Sequence, residues 1–482
     1  MSIVKSFFLI LILILVFISL NLLPINWYLL PLFLGGILSF NKIIQKTKSP
    51  DYLNDTFFYV WIVFFLTTFV APLIHFSRDY WIENVYILPR DWSSLSLITS
   101  SILLFGMLVF YFMEKLPVKE ITQKQTWKFK NNAGFIIVIL MFISFILQTL
   151  FYLKNGGIIG VIKTYSDRDV MSEGNFAGFG LYFIFSEIFP YLLLLLYFIH
   201  ARNKTTSLIR VLIFLLLMFI SALYFGGLRG SRSNTVMTMF QAILLIHFSI
   251  YRFKRVHFIV MITAFFLFMI IGRIYKSEGI NFIENYNEYE DYQISKKTSS
   301  VESIIITDLT RYNILTYEIF MLENNPHYQY KMGSTYLASI LTFIPWGSPI
   351  KDQLDLTTRT EAAGQLMFNY DGQQRTLSRK NTRIFGFIGE SILNFGYISI
   401  LFSFFALYLC LTLIKLWSIS ITNQDARYYF ISLLPVLVIN LIDSDSNNVA
   451  FFVVKRIILM YLIIWTITFK TKENINGSGI YH

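Results

Sequence analysis

The 482-residue chain is 55% hydrophobic and only 14% charged, with a mean hydropathy of +0.58, where an ordinary soluble chain carries roughly 25% charged residues. A soluble globular enzyme is excluded, because apolar runs long enough to cross a bilayer core of roughly 30 Å recur along the whole sequence. The single cysteine, Cys410, lies inside the run LFSFFALYLCLTLI, which excludes an intrachain disulfide, a cysteine-based zinc site and an Fe–S cluster. The net charge of +11 could suggest nucleic acid, but its meaning rests on where the 40 Lys and Arg fall relative to the membrane.

Taken in chain order, apolar runs predict membrane helices near 5 to 23, 25 to 40, 56 to 76, 94 to 113, 134 to 153, 178 to 199, 209 to 226, 234 to 251, 256 to 275, 386 to 416, 428 to 442 and 450 to 469, twelve in all. The first has one Lys ahead of it and no small-x-small cleavage site, so it reads as a membrane helix and not as a secretory signal. The loops NKIIQKTKSPDYLND, EKLPVKEITQKQTWKFKNN, HARNKTTSLIR and YRFKRVH carry 3, 5, 3 and 3 Lys or Arg and fall on alternate connections. That bias marks them as cytoplasmic, along with both termini. With Lys5, Lys415, Arg427, Lys470 and Lys472 the cytoplasmic side holds 19 basic residues; the short external loops hold 9, Lys455 and Arg456 being counted there. The architecture expected is all-α and polytopic, with about twelve transmembrane helices and one large external loop. Residues 1–275 form helices one to nine, 276–385 the loop with short helices of its own, and 386–482 helices ten to twelve and a cytoplasmic tail.

The large loop should contain helices around ITDLTRYNILTYEIFML and GSTYLASILTFI, since a structureless stretch of that length would be unusual. The second is too short to span and reads as an amphipathic or re-entrant element at the outer interface. Charge is segregated: residues 276 to 323 hold nine acids and four bases, residues 324 to 383 four acids and seven bases. An acidic half facing a basic half suits a cleft that handles sugar hydroxyls and an anion; a solvated surface with chance clustering accounts for it equally well.

The most informative short motif is FGGLRGSRSN, residues 225 to 234, in the tight external turn between the seventh and eighth runs. Its glycines permit close backbone approach. Ser231 to Asn234 look like the capped N-terminus of a helix, whose free N–H groups and dipole favour an anion. Arg229 and Arg232 would supply charge, because guanidinium forks grip phosphate oxygens bidentately. Snorkelling to lipid headgroups is the competing account, but basic residues in a short external turn oppose the topology bias. Arg273, at the end of the ninth run, and Arg383, before the tenth, add outward-facing cations.

In NTRIFGFIGESILNFGYISI, residues 381 to 400, Glu390 stands near the membrane surface, as a general base for a sugar hydroxyl or, slightly preferred, as an ion-pair anchor for an arginine. Asp308 and Arg311 are three apart on one helix face, an ordinary surface pair or an oriented catalytic one. Glu187 and His247 read as lone polar residues with packing roles. Asp443 and Asp445 of LIDSDSNN read as caps or a solvated turn, and His327 as an exposed loop histidine. No metal site and no cofactor-binding motif is found.

These residues resemble the Wzy-type O-antigen and capsule polymerases, the oligosaccharide repeat unit polymerases. The resemblance covers the architecture and three patches: Arg229-Gly230-x-Arg232; the external loop with its GSTY and FIPWGSPIK segments; and the FGFIGESILNFGYISI entry into the tenth run. Family members often carry an arginine after the proline where Trp346 stands here. The resemblance implies a bacterial inner-membrane enzyme with a GT-C-like fold and its active site on the outer face. It would transfer an undecaprenyl-pyrophosphate-linked glycan to the non-reducing end of a lipid-linked repeat unit. It also implies a chain-length regulator and a flippase as partners. On that reading Arg229, Arg232, Arg273 and Arg383 form the pyrophosphate cradle, with Glu390, Asp308 and Arg311 as catalytic candidates. An O-antigen ligase and a lipid-linked oligosaccharide flippase are the alternatives.

Overall fold

The computed structural model describes residues 29–49, 52–79, 81, 89, 91–116, 125–166, 180–202, 204–229, 232–278, 300–307, 309–325, 327–342, 344, 347–368, 385–420 and 424–472. The expected first helix, 5 to 23, lies outside them. Three long helices come first: α1 (Leu29–Lys46), α2 (Thr56–Arg78) and α3 (Trp92–Glu114). Asp55 and Asp91 cap α2 and α3, accepting the backbone N–H groups of Phe57 and Ser93 at 3.0 and 2.8 Å. Then follow β1 (Gln125–Phe129), α4 (Ala133–Lys154), α5 (Gly157–Ser166), α6 (Tyr182–Ala201), α7 (Leu208–Tyr224), α8 (Arg232–Ser249) and α9 (Arg255–Glu278).

The loop region supplies five short helices, α10 (Ser300–Thr307), α11 (Tyr312–Asn324), α12 (Ser334–Leu341), α13 (Gly347–Gln353) and α14 (Arg359–Phe368). The chain ends through α15 (Gly386–Phe395), α16 (Ser399–Ser420), α17 (Gln424–Asp443), α18 (Ser446–Ile467) and β2 (Thr468–Lys472).

Six described helices are long and apolar enough to cross a membrane: α2, α3, α4, α6, the Arg255–Gly272 stretch of α9, and α18. Helices α4 and α9 leave apolar side chains such as Phe135, Phe142, Leu153, Val256, Ile259 and Val260 uncovered, which in water would be costly and in lipid is not. The protein is an all-α membrane protein. Two expectations need correction. The tenth run, 386 to 416, is two helices and not one: at Gly396 the backbone takes φ 70° and ψ −165°, which ends α15 and lets α16 begin at Ser399. Lys455 and Arg456, counted with an external loop, are buried within α18, in a turn of π-helix at Val453–Ile458.

The described chain groups into two units, each discontinuous in sequence. The first comprises Met1–Leu116, Glu288–Leu411 and Val438–Ala450; the second comprises Pro117–Asn287, Thr412–Leu437 and Phe451–His482. In the first, α2 and α3 pack through Trp61, Phe64 and Phe110, whose rings meet edge to face at 5.6–5.8 Å, and α1 packs on α2 through Leu29, Leu32 and Phe69. Gly106 of α3 admits the Phe404 ring so closely that a Cβ there would collide with it. Such small-residue contacts replace the hydrophobic drive that lipid removes. At one end of these helices Lys46 pairs with Asp55 and Glu114, and Lys42 joins Glu114 at 3.1 Å. At the other end Arg78 pairs with Glu302 of α10 at 2.7 Å. The short loop helices are therefore fixed at the end away from the basic loop between α1 and α2.

In the second unit, Ile137, Leu192, Leu195, Phe198, Met218, Leu245 and Ile464 form a buried core drawn from α4, α6, α7, α8 and α18. Strands β1 and β2 pair antiparallel, from Gln125 opposite Lys472 to Phe129 opposite Thr468. The Arg202 guanidinium lies 4.9 Å from the Phe129 ring at the same end.

Candidate functional site

The first unit buries two carboxyl groups where α11, α12, α15 and the start of α18 meet. Glu390 is 1% exposed on α15. It accepts the Thr335 hydroxyl at 2.6 Å and both the backbone N–H and the hydroxyl of Ser446, the first residue of α18. A carboxylate at a helix start satisfies an N–H that would otherwise lack a partner, and favours the dipole. One turn on, the Asn394 amide donates to Thr335 Oγ1 at 2.8 Å, while its oxygen accepts the Gly333 N–H at 3.0 Å. Glu390 and Asn394 thus clamp the first turn of α12. The expected arginine anchor is not among these partners. The buried arginine–carboxylate contact is made elsewhere in the unit, between Arg359 and Asp445 at 2.8 Å. Asp445 is a cap, accepting the Asn448 N–H at 3.1 Å, but it is fully buried and not solvated.

The second carboxyl, Glu318 of α11, is wholly buried, and neither oxygen makes a hydrogen bond among the described residues. It faces Gly389, where any Cβ would strike Glu318 Oε2, so the helix contact requires glycine. Burial, reinforced by the negative field of Glu390, holds its proton far above the ordinary carboxyl range. Glu390 is also raised by burial, but the hydrogen bonds from Ser446 and Thr335 oppose that rise. Both carboxyls are thus raised, Glu318 by burial and the field of its neighbour, Glu390 by burial against the hydrogen bonds it accepts. Helix α11 is pinned by Tyr312, whose hydroxyl meets Ser100 of α3 at 2.8 Å.

A carboxyl whose folded pKa is raised stabilises the fold below its unfolded value, here 4.5, and loses that contribution as pH rises through the folded pKa. Glu318→Gln is therefore expected to flatten the decline of the thermal midpoint above pH 4.5, without lowering stability at neutral pH. An unchanged pH profile would show that Glu318 is ionised in the fold.

The remaining sequence candidates fall as follows. Arg311 stands at the start of α11 with its Nε 3.4 Å from the Asp443 carbonyl, in the same unit as Glu390. Arg232 opens α8 in the second unit and donates to the Met269 carbonyl at 3.3 Å. Arg229 closes a 3-10 turn at Gly227–Arg229 ahead of α8, and Arg273 lies on α9, both in the second unit. Asp308 and Arg383 lie outside the described residues. Asn234, expected as part of a helix cap, instead accepts a hydrogen bond from Arg456 Nη2. Glu187 is not a lone residue but the partner of Lys455, both 3% exposed. His247 is satisfied in packing, its Nδ1 accepting the Phe253 N–H at 3.0 Å. Glu318 was missed, although an acid inside the apolar run YEIFML is itself a signal.

Comparison of the chain with protein-family models, with curated proteins and with solved structures returns no match.

Proposed function

We propose that the protein is a bacterial inner-membrane glycosyltransferase of about twelve spans and GT-C-like fold that polymerises undecaprenyl-pyrophosphate-linked oligosaccharide repeat units into surface polysaccharide. One observation carries the reading: the segment from α10 to α15 folds as short helices around two buried carboxyls, at the end of α2 and α3 marked by Arg78 and away from the basic α1–α2 loop. By the positive-inside bias that end faces outward, where lipid-linked sugars are presented. In the reaction a hydroxyl oxygen of the acceptor sugar attacks the anomeric carbon of the donor glycan, and the bond from that carbon to the lipid pyrophosphate breaks. The hydroxyl proton passes to a base, for which the loop offers carboxylates and His327. Charge develops on the departing pyrophosphate, so Arg229, Arg232, Arg273 and Arg383 accelerate transfer by holding it more tightly in the transition state. Glu390 acts by fixing α12 and the start of α18, with Asp308 and Arg311 as further loop candidates. A chain-length regulator and a flippase are the partners this activity calls for.

A transport reading gains one point: Glu187, Lys455 and Arg456 are buried charges in the apolar helices of the second unit. Incubating purified protein with a defined prenyl-pyrophosphate oligosaccharide separates the readings. A ladder of extended lipid-linked products supports the polymerase. Transfer only on adding a lipid A core acceptor indicates a ligase, and movement across vesicles without change of size a flippase.

A further inference from the structure

Arg456 is 3% exposed in the second unit, with apolar helix on both sides of it in the sequence. Its hydrogen-bond partners among the described residues are all neutral: Asn234 Oδ1, the Asn234 carbonyl at 3.3 Å and Thr238 Oγ1 at 3.4 Å, with the rings of Tyr191 and Phe452 at 4.9 and 4.8 Å. Nη1 has no hydrogen-bond partner among the described residues. The Glu187 carboxylate of the same unit is engaged by Lys455, the residue before Arg456, and no carboxylate among the described residues pairs with the guanidinium. A single uncompensated charge in a low-dielectric interior is far costlier than an unmade hydrogen bond.

The surroundings are rich in donors. Among the described residues, the Tyr429 hydroxyl, beside Tyr191, Gln241 and Arg456, and the Gln241 Nε2 are buried donors that make no hydrogen bond of good geometry. Water would satisfy such groups yet leave the charge. The neighbours Tyr191, Thr238, Gln241 and Tyr429 are all buried, so any occupant must be small. The π-turn at Val453–Ile458 that presents Arg456 is a distortion common at binding sites. We propose that Arg456, with Tyr429 and Gln241, forms an internal site for a small singly charged anion of the chloride class, which completes the charge balance of the second unit. The site rests on none of the glycan chemistry, although Asn234, which Arg456 bonds, belongs to the same 225–234 segment as Arg229.

The test is thermal unfolding of the purified full-length protein in neutral detergent at fixed ionic strength, in sodium chloride, sodium bromide or sodium gluconate, the last anion being too large to enter. Wild type should unfold about 2–5 °C higher in chloride and bromide than in gluconate, with a saturable dependence on chloride. Arg456→Met should lose the anion dependence and, in gluconate, match or exceed wild type, because it removes the uncompensated charge. Equal midpoints for wild type in the three salts, or an Arg456→Met protein that keeps the chloride increment, would overturn the site. Should Arg456→Met fail to fold, Tyr429→Phe and Gln241→Leu decide: a saturation midpoint moved to higher chloride supports the site, and an unmoved one rejects it. No glycolipid enters these measurements, so a failed polymerisation assay leaves their outcome intact.

Discussion

Arg229→Ala is expected to abolish polymer while leaving the protein in the membrane at its normal level. Arg229 closes the 3-10 turn that leads into α8, a place where backbone N–H groups and the helix dipole already favour an anion. Removing a donor that acts mainly on developing charge costs on the order of 10²–10³ in rate. Arg229→Lys should fall between, since an ammonium keeps the charge but not the bidentate fork. The readout is ladder length with the defined lipid-linked oligosaccharide, alongside membrane abundance. Undiminished chain length in Arg229→Ala would remove the turn from the mechanism. Arg232 is a less clean probe, because its stem presses on Gly272 and its head bonds Met269, so its loss would also disturb α8 against α9.

Lys455→Met alone is expected to destabilise the second unit by about 3–5 kcal/mol, because it strands the Glu187 carboxylate in a buried site. Both partners are 3% exposed and in direct contact. The double substitution Glu187→Gln with Lys455→Met should recover most of that loss, since neutral groups of similar shape need no counter-charge. A double-mutant cycle on unfolding midpoints measures the coupling. If the single and double variants were equally unstable, the pair would matter for its volume and not for its charge.

The long helices were legible because an apolar run in a bilayer has no alternative but to satisfy its backbone internally. The sites were less so, and particular residues show why. Lys455 and Arg456 stand side by side, and two adjacent cations read as the edge of a loop. Only the fold reveals that one faces Glu187 and the other Asn234, residues from α6 and α8. Glu390 was found from its position near a membrane surface, yet its partners Thr335 and Ser446 lie far off in sequence and carry no motif. The break at Gly396 hides in FGY, since a lone glycine in an apolar run is common within membrane helices. Asp445 looked like a turn residue, and its burial depends on Arg359 reaching it from a different helix.

Strand pairing between β1 and β2 imposes a parity rule on the membrane topology. Three of the ten residues in that small sheet, Lys128, Lys470 and Lys472, are basic, and Lys130 follows directly, so both strands belong in water on one and the same face. The polypeptide that leaves β1 must therefore return to the face it started from before reaching β2, and can traverse the bilayer between them only an even number of times. Any revision that deletes a single crossing there must delete a second, and a reporter fused after β2 reads the sidedness of the segment before α4 as well.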